Sequence, residues 1–241
     1  MKHEWIIRAS SIGDLMTGGR KKEDLFGETA NKKILEAVLL KKYGIEPKQD
    51  TNKYVEKGIE NEKSAIEMAK ENYGWLFVDV DKIKPRLFND FIAGEPDVLT
   101  DTVLGDVKCS WDATTFHWTL KDGDCPNKTY YYQMQCYMWL ANRQEAELVY
   151  CLTDTPERLI YDETRREVWR TMSLPENAEK SEDELHEEIE ERKRKQLTFG
   201  GVPKEKRTKR TIIKRDDAVI EEIKNRIIEA RKIYDNLKAT I

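Results

Sequence analysis

The sequence lacks any long apolar run, and this absence excludes a membrane-spanning helix. No stretch approaches the roughly 18 consecutive apolar residues that such a helix needs. The first residues, Met1-Lys2-His3-Glu4-Trp5, also lack the basic-then-apolar profile of a secretory signal peptide. We therefore expect a cytoplasmic protein with no membrane partner.

Close cysteine pairs are also missing. The four cysteines include no C-x-x-C motif; they are Cys109, Cys125, Cys136 and Cys151. Zinc and iron–sulfur sites usually show such close ligand pairs, and a chain with no export signal keeps its thiols reduced. We expect free thiols and no iron–sulfur cluster.

Internal repeats and low-complexity linkers are absent, and the charge is not strongly one-sided. The chain has 241 residues, of which 39% are hydrophobic and 37% charged, so it can bury a real core and global disorder is excluded. A net charge of −4 does not by itself indicate a nucleic-acid binder. Its distribution leaves two interpretations open, because residues 176–191 are acidic whereas residues 204–215 are rich in lysine and arginine. The basic cluster can neutralise phosphates, or it can form a solvated hairpin or loop.

Helical and strand periodicities alternate along the chain and predict an α/β fold. A short capped helix is predicted at 10–16, and longer helices at 29–42, 53–72, 129–141, 181–196 and 216–237. Strands are predicted at 75–80, 91–93, 97–100, 104–109 and 147–152, with further strands or edges at 158–161 and 210–214. This order predicts a mixed sheet framed by helices, with a core over 1–174. A charged helical extension over 175–241 is expected to pack on that core or complete it.

Two neighbouring predicted strands carry acidic residues and a lysine. Asp97 opens one strand, and Asp106-Val107-Lys108 lies within the next. Because side chains alternate along a strand, Asp106 and Lys108 share a face, which Asp97 can reach if the two strands pair. Carboxylates held together repel each other unless a cation lies between them, and oxygen ligands suit Mg²⁺ or Mn²⁺. The pattern predicts a metal centre, to which the backbone carbonyl of Val107 could add a ligand; an ordinary salt-bridged strand pair is the alternative.

Residues on the flanking helices can complete this centre. Glu62 falls on the helical wheel near Ile59 and Ile66, which are expected to point inward. Gln133 and Tyr137 are spaced i and i+4, so they share one face of the later helix. A glutamine and a tyrosine on an otherwise apolar face can hold a lysine, a water or a phosphate. Core packing is the alternative for Tyr137.

These motifs, in this order and spacing, resemble the PD-(D/E)xK nuclease superfamily, and most closely its phage lambda exonuclease and YqaJ-like viral recombinase branch. The motifs are Gly58-x-x-x-Glu62, Pro96-Asp97, Asp106-x-Lys108-Cys109, Gln133-x-x-x-Tyr137 and the run from Gln133 to Trp139. The resemblance covers roughly residues 8–152. Two positions depart from the branch, since Asp106 stands where glutamate is usual and Ser110 where proline is usual.

The resemblance implies a restriction-endonuclease-like core, with a central mixed β-sheet flanked by helices. It implies that Glu62, Asp97 and Asp106 bind one or two Mg²⁺ ions, for which Mn²⁺ substitutes, and that Lys108 and Gln133 are catalytic. Related nucleases with an iron–sulfur cluster carry three cysteines near the C-terminus. That subgroup is disfavoured, because no cysteine follows position 151.

Four residues are candidate DNA contacts. The segment 9–11 resembles a run of the family near which the DNA 5′ phosphate is held, which implies phosphate contacts for Arg8 and Ser10. A helix cap is the alternative for Ser10. Tyr137 and His117 are further candidates, and His117 lies among aromatic residues that can stack on unpaired bases or simply pack together.

The expected reaction is hydrolysis of DNA phosphodiester bonds by metal-activated water. Its expected form is an exonuclease that works from duplex ends in phage-type recombination or DNA processing. A structure- or sequence-specific endonuclease, a catalytically silent DNA-binding protein and an interaction protein built on the C-terminal helices stay open. The expected partners are DNA, a single-strand annealing protein and further copies of the chain in a ring-like homo-oligomer. The expected location is the cytoplasm of a bacterial or phage-infected cell.

Overall fold

A computed structural model describes residues 3–19, 24–48, 51–75, 78–81 and 84–241. The helices are α1 (Ile12–Met16), α2 (Glu28–Tyr43), α3 (Lys53–Tyr73), α4 (Lys128–Ala141), α5 (Glu157–Thr171), α6 (Glu182–Leu197) and α7 (Asp217–Thr240). The strands are β1 (Ile7–Arg8), β2 (Leu87–Phe88), β3 (Ile92–Gly94), β4 (Val98–Leu99), β5 (Leu104–Cys109), β6 (Glu145–Cys151) and β7 (Thr208–Lys214).

The ends of the long helices follow from their capping residues. Asn52 precedes α3, and its side chain accepts hydrogen bonds from the first backbone amides of that helix. Gly74 ends α3 in the left-handed conformation, with φ of 66°, which glycine adopts at no steric cost. Ser181 and Glu184 form the reciprocal capping box of α6 that their spacing predicts.

The strands form two mixed sheets joined by a short linker. The smaller sheet has the order β1-β3-β2, and the larger has the order β4-β5-β6-β7. In the larger sheet, β5 and β6 are parallel and are connected through α4, whereas β4 and β7 pair antiparallel at the two edges. The linker between the sheets contains Pro96, which has no amide hydrogen to extend a ladder.

Helices cover both faces of the larger sheet. On one face, α3 packs through Ala65, Ile66 and Ala69 against a cluster that includes Val107 and Val149. The opposite face meets α4 and α7 in a larger cluster, to which the sheet contributes Leu104, Leu148, Tyr150 and Ile213. Successive residues of β5 therefore alternate between two dry interfaces, with the site residues among them.

The C-terminal part of the chain contributes to the same layers. Strand β7 pairs with β6 along seven residue pairs. Helix α7 buries Ile223, Ile227 and Tyr234 in the larger cluster, where it also packs against α1, α2 and α4. The division at residue 174 stays a prediction.

Three details of the sequence-based prediction are wrong. Residues 158–161 were expected to form a strand, but they lie inside α5. Ile59 was expected to point inward, but it is 67% exposed on α3. Ser10 lies inside a 3-10 turn over Ala9–Ser11, where no side chain caps the helix.

The strand predicted at 75–80 is absent from the described residues of that range. Trp75, Val78, Asp79 and Val80 lie outside any strand, and Leu76 and Phe77 fall outside the described residues. The indole of Trp75 is buried instead, where it covers Gly105 of β5.

Two chemical properties of the chain are also visible. Within the described ranges, no helix is both long and apolar enough to cross a membrane. The four cysteines carry free thiols, and Cys136 and Cys151 are buried.

Candidate active site

The first acidic residue of the site lies where the two sheets meet. Asp97 follows Pro96 and immediately precedes β4, whose Val98 pairs with Gly105 of β5. The backbone amide of Val107 donates a hydrogen bond of 2.8 Å to Oδ2 of Asp97. Asp97 is therefore held beside β5 by the pairing of β4 with β5 and by this hydrogen bond.

Asp106 and Lys108 form a buried ion pair on one face of β5. Nζ of Lys108 lies 2.5 Å from Oδ2 of Asp106, and the Asp106 side chain is 2% exposed. Burial raises the pKa of Asp106 to about 6, although the ammonium of Lys108 acts in the opposite direction. Burial alone would lower the pKa of Lys108, but the charge of Asp106 outweighs it and the pKa is raised. The pair agrees with the strand alternation that the sequence predicts.

Aromatic residues surround this ion pair. Nζ of Lys108 lies 4.8 Å from the ring centroid of Tyr130, close enough for a cation–π interaction. Lys108 is opposite Tyr150 in the ladder between β5 and β6, and the ring of His117 packs edge-on against Tyr150 at 4.5 Å. Tyr130 and Tyr150 therefore line one side of Lys108, whose side chain is 22% exposed.

Glu62 joins the site through a lysine that the sequence analysis missed. Nζ of Lys84 lies 2.7 Å from Oε2 of Glu62 and 2.6 Å from Oδ1 of Asp97. Burial lowers the pKa of Lys84, but the two carboxylates reverse this effect and raise it. Lys84 precedes Asp97 by 13 positions in an irregular segment, so neither periodicity nor a motif indicates it.

The predicted pair on α4 is also at the site. Nε2 of Gln133 donates a hydrogen bond of 2.8 Å to the Tyr137 hydroxyl, which in turn donates to the backbone carbonyl of Glu95 at 3.3 Å. A Cβ on Gly94 would lie 2.7 Å from the Tyr137 ring, so only glycine lets the ring approach the linker between the sheets. Tyr137 is 3% exposed and holds Gln133 from inside the protein.

The side chains of the site fit a divalent cation in their chemistry. Burial is the main cause of the raised pKa of Asp106, and the negative charge of Asp97 adds to it. Glu62 and Asp97 already converge on a positive group, the ammonium of Lys84. Among the described residues, no three acidic, histidine or cysteine side chains are spaced as a ready-made metal site. Asp97, Asp106 and the carbonyl of Val107 could hold an ion, with Glu62 joining once it leaves Lys84.

Of the remaining candidate contacts with DNA, some lie near the linker between the sheets and others already form ion pairs within the protein. Arg8 and Ser10 are exposed, and Ala9 between them lies against Gly94 at the linker. In the basic cluster 204–215, three arginines are paired with carboxylates; the pairs are Arg207 with Asp154, Arg210 with Glu147 and Arg215 with Asp217. The DNA contacts of Arg8, Ser10, His117 and Tyr137 stay predictions.

Known structures share this architecture over almost the whole chain. A phage-related exonuclease from Haemophilus somnus 129PT superposes with a TM-score of 0.70 at 27% sequence identity, over 99% of this chain and 97% of that chain. This chain has the phage exonuclease fold. The predicted resemblance to the exonuclease branch of the PD-(D/E)xK nucleases and the restriction-endonuclease-like α/β fold are therefore confirmed.

More distant structures have the same fold. The alkaline exonuclease LHK-Exo from Laribacter hongkongensis has a TM-score of 0.61 at 18% identity, over 98% of this chain and 90% of that chain. LHK-Exo in complex with dAMP has a TM-score of 0.60 at 20% identity, over 98% and 92% of the two chains. No family model and no curated protein matches the sequence.

Proposed function

We propose that this chain is a divalent-metal-dependent deoxyribonuclease that removes nucleotides from the ends of duplex DNA. The observation that carries the proposal is the buried pair of Asp106 and Lys108 beside Asp97, on a fold shared with a phage-related exonuclease at 27% identity. A carboxylate and a lysine so close together, with an acidic neighbour, suit phosphoryl chemistry with a metal.

The residues of the chain have distinct roles in this reaction. A bound divalent ion would polarise the scissile phosphate and lower the pKa of the attacking water. Lys108, held by Asp106 and Tyr130, places a positive charge where the transition state gains negative charge. Gln133 is fixed by Tyr137, so its amide can orient a water or a phosphate oxygen. The Val107 amide prevents rotation of the Asp97 carboxylate.

The biological setting is part of the proposal. A structural neighbour described as phage-related and another that binds dAMP support a deoxynucleotide substrate in phage-type recombination or DNA processing. An annealing protein that takes up the single strand, a ring of several copies and a cytoplasmic location belong to the same proposal.

The deciding experiment compares linear and covalently closed duplex DNA. Both substrates are incubated with the protein in Mg²⁺, Mn²⁺ or EDTA, beside the variants Lys108→Ala and Lys63→Ala. Lys63 is a matched control because it also pairs with an aspartate, Asp81, but both side chains are more than half exposed. We expect metal-dependent loss of linear DNA alone, abolished in Lys108→Ala and retained in Lys63→Ala.

Other outcomes would change the assignment. Nicked or cut circles that disappear in Lys108→Ala would make the protein an endonuclease at the same site. DNA binding without cleavage in any metal would indicate a catalytically silent binding protein. Cleavage that survives Lys108→Ala would contradict the role of the buried ion pair.

A further inference from the structure

The ammonium of Lys84 lies between two side chains that we propose as metal ligands. It is 2.7 Å from Glu62 and 2.6 Å from Asp97, which come from α3 and from the linker between the sheets. The Lys84 side chain is 30% exposed and that of Asp97 is 10% exposed. The Glu62 side chain is 38% exposed, so the contact with Asp97 is partly shielded from water whereas the contact with Glu62 lies at the surface.

The positive charge of Lys84 reduces the repulsion between Glu62 and Asp97. Two carboxylates that converge without a cation repel each other, and water screens this repulsion less as they become buried. The ammonium supplies one positive charge between them. It neutralises part of the repulsion and holds Glu62 near Asp97, although the two come from separate elements.

The same ammonium occupies space that a divalent ion needs. An ion bound by both carboxylates would lie between the oxygens that now contact Nζ of Lys84, so the ion and the ammonium cannot be there together. The stem of Lys84 is flexible and the side chain reaches solvent, so the ammonium can leave without unfolding of its segment.

We propose that Lys84 is an internal counter-ion, which assembles Glu62 and Asp97 in the metal-free protein and is displaced when a divalent ion binds. Lys84 is thus a positioning residue that sets the ion affinity of the site. This inference rests on the proposed metal dependence of the nuclease.

The first test measures ion affinity in Lys84→Met. Methionine keeps the length of the stem but removes the charge. Binding of Mn²⁺ is followed by electron paramagnetic resonance and binding of Mg²⁺ by calorimetry, in the full chain without DNA. We expect about tenfold tighter binding than in the wild type, as when a competing group occupies the site about nine-tenths of the time. Lys63→Met, which removes an exposed lysine that pairs with Asp81, should bind as the wild type does.

The second test measures thermal unfolding with and without the ion. In EDTA we expect Lys84→Met to unfold about 3 °C or more below the wild type, because its two carboxylates face each other without a cation. Saturating Mg²⁺ should close this gap. Glu62→Gln combined with Lys84→Met should recover part of the loss in EDTA, because one of the repelling charges is then gone.

The outcomes separate this inference from the proposed function. If Lys84→Met binds the ion as tightly as the wild type or more weakly, the counter-ion proposal is wrong, even if the wild type cleaves DNA with Mg²⁺. If Lys84→Met binds the ion more tightly but the wild type does not cleave DNA, the counter-ion proposal holds and the proposed nuclease function is wrong. Absence of ion binding in both proteins, together with absence of cleavage, overturns both.

Discussion

At the scale of single residues, the ionisation of Asp106 makes the stability of the metal-free protein depend on pH. Its pKa is raised to about 6 by burial, whereas an unfolded aspartate titrates near 4. Between these values the unfolded chain loses a proton that the folded protein retains. The raised pKa of Asp106 therefore stabilises the folded protein fully below about pH 4, and this stabilisation is lost as pH rises through 6. The loss is on the order of 3 kcal/mol.

This prediction is tested by denaturant unfolding in EDTA from pH 4 to 7, for the wild type and Asp106→Asn. The stability of the wild type should fall relative to the variant as pH rises. A constant difference between the two curves is expected, because Lys108 loses its charged partner in the variant. Parallel curves would contradict a raised pKa at this position.

A second residue-scale prediction concerns Gly94. Alanine there would place a Cβ 2.7 Å from the Tyr137 ring, so we expect a loss of about 1–3 kcal/mol in stability. Activity should fall as well, because Tyr137 orients Gln133. Gly58→Ala is the control, since nothing lies within 4 Å of its Cβ in α3. That change should stabilise the helix by about 0.5–1 kcal/mol. Equal effects of the two substitutions on stability would refute the close contact.

The site shows what the sequence can predict and what it cannot. Asp106 and Lys108 were predicted to share a face because strand alternation is a local rule. Asp97 was predicted to reach that face if the two strands pair, and β4 does pair with β5. Lys84 could not be predicted, because its contacts with Glu62 and Asp97 join residues that are distant in sequence and Lys84 lies outside any regular element. A lone lysine outside any motif gives no signal of such distant contacts.

At the scale of elements, the packing of α7 can be tested with two adjacent residues. Ile227 is buried, whereas Ile228 is 37% exposed on the same helix. Ile227→Ala should lower the free energy of unfolding by about 2–5 kcal/mol, because it leaves a cavity in the larger cluster. Ile228→Ala should change it by about 0.5 kcal/mol or less. Chemical denaturation of both variants is the measurement, and similar losses would mean that α7 is not anchored through this face.

Helices were predicted well where their caps and apolar stripes are local, and less well elsewhere. The boundaries of α3 and α6 follow from Asn52, Gly74 and the capping box at Ser181. Helix α5 was not predicted at all, and its residues 158–161 were expected to form a strand or edge. Its Arg158 instead contacts Glu56 and Glu60 of α3, and these distant partners are invisible in a local pattern.

At the scale of the whole molecule, DNA binding should depend on the divalent ion. The chain has a net charge of −4 and concentrates carboxylates at the site, so the metal-free protein repels phosphates there. Affinity for a duplex end, measured by fluorescence anisotropy, should rise roughly tenfold or more when Ca²⁺ replaces EDTA at equal ionic strength. Equal affinities would show that binding does not involve the acidic site.

The placement of β7 and α7 also decides how an interaction role for the C-terminal helices can be examined. Truncation after Leu174 removes the edge partner of β6 together with the helix that buries Ile227. Such a truncation would damage the sheet that carries the site. Point substitutions on exposed positions of α6 or α7 are therefore the appropriate test.

The late position of α7 in the chain has a consequence for synthesis in the cell. All acidic residues of the site have left the ribosome once residue 106 has emerged, yet the layer that covers the sheet is complete only with Tyr234. A growing chain thus exposes the acidic side chains of the candidate site long before it can fix their geometry. We expect activity to appear only after α7 has been synthesised and has packed on the sheet.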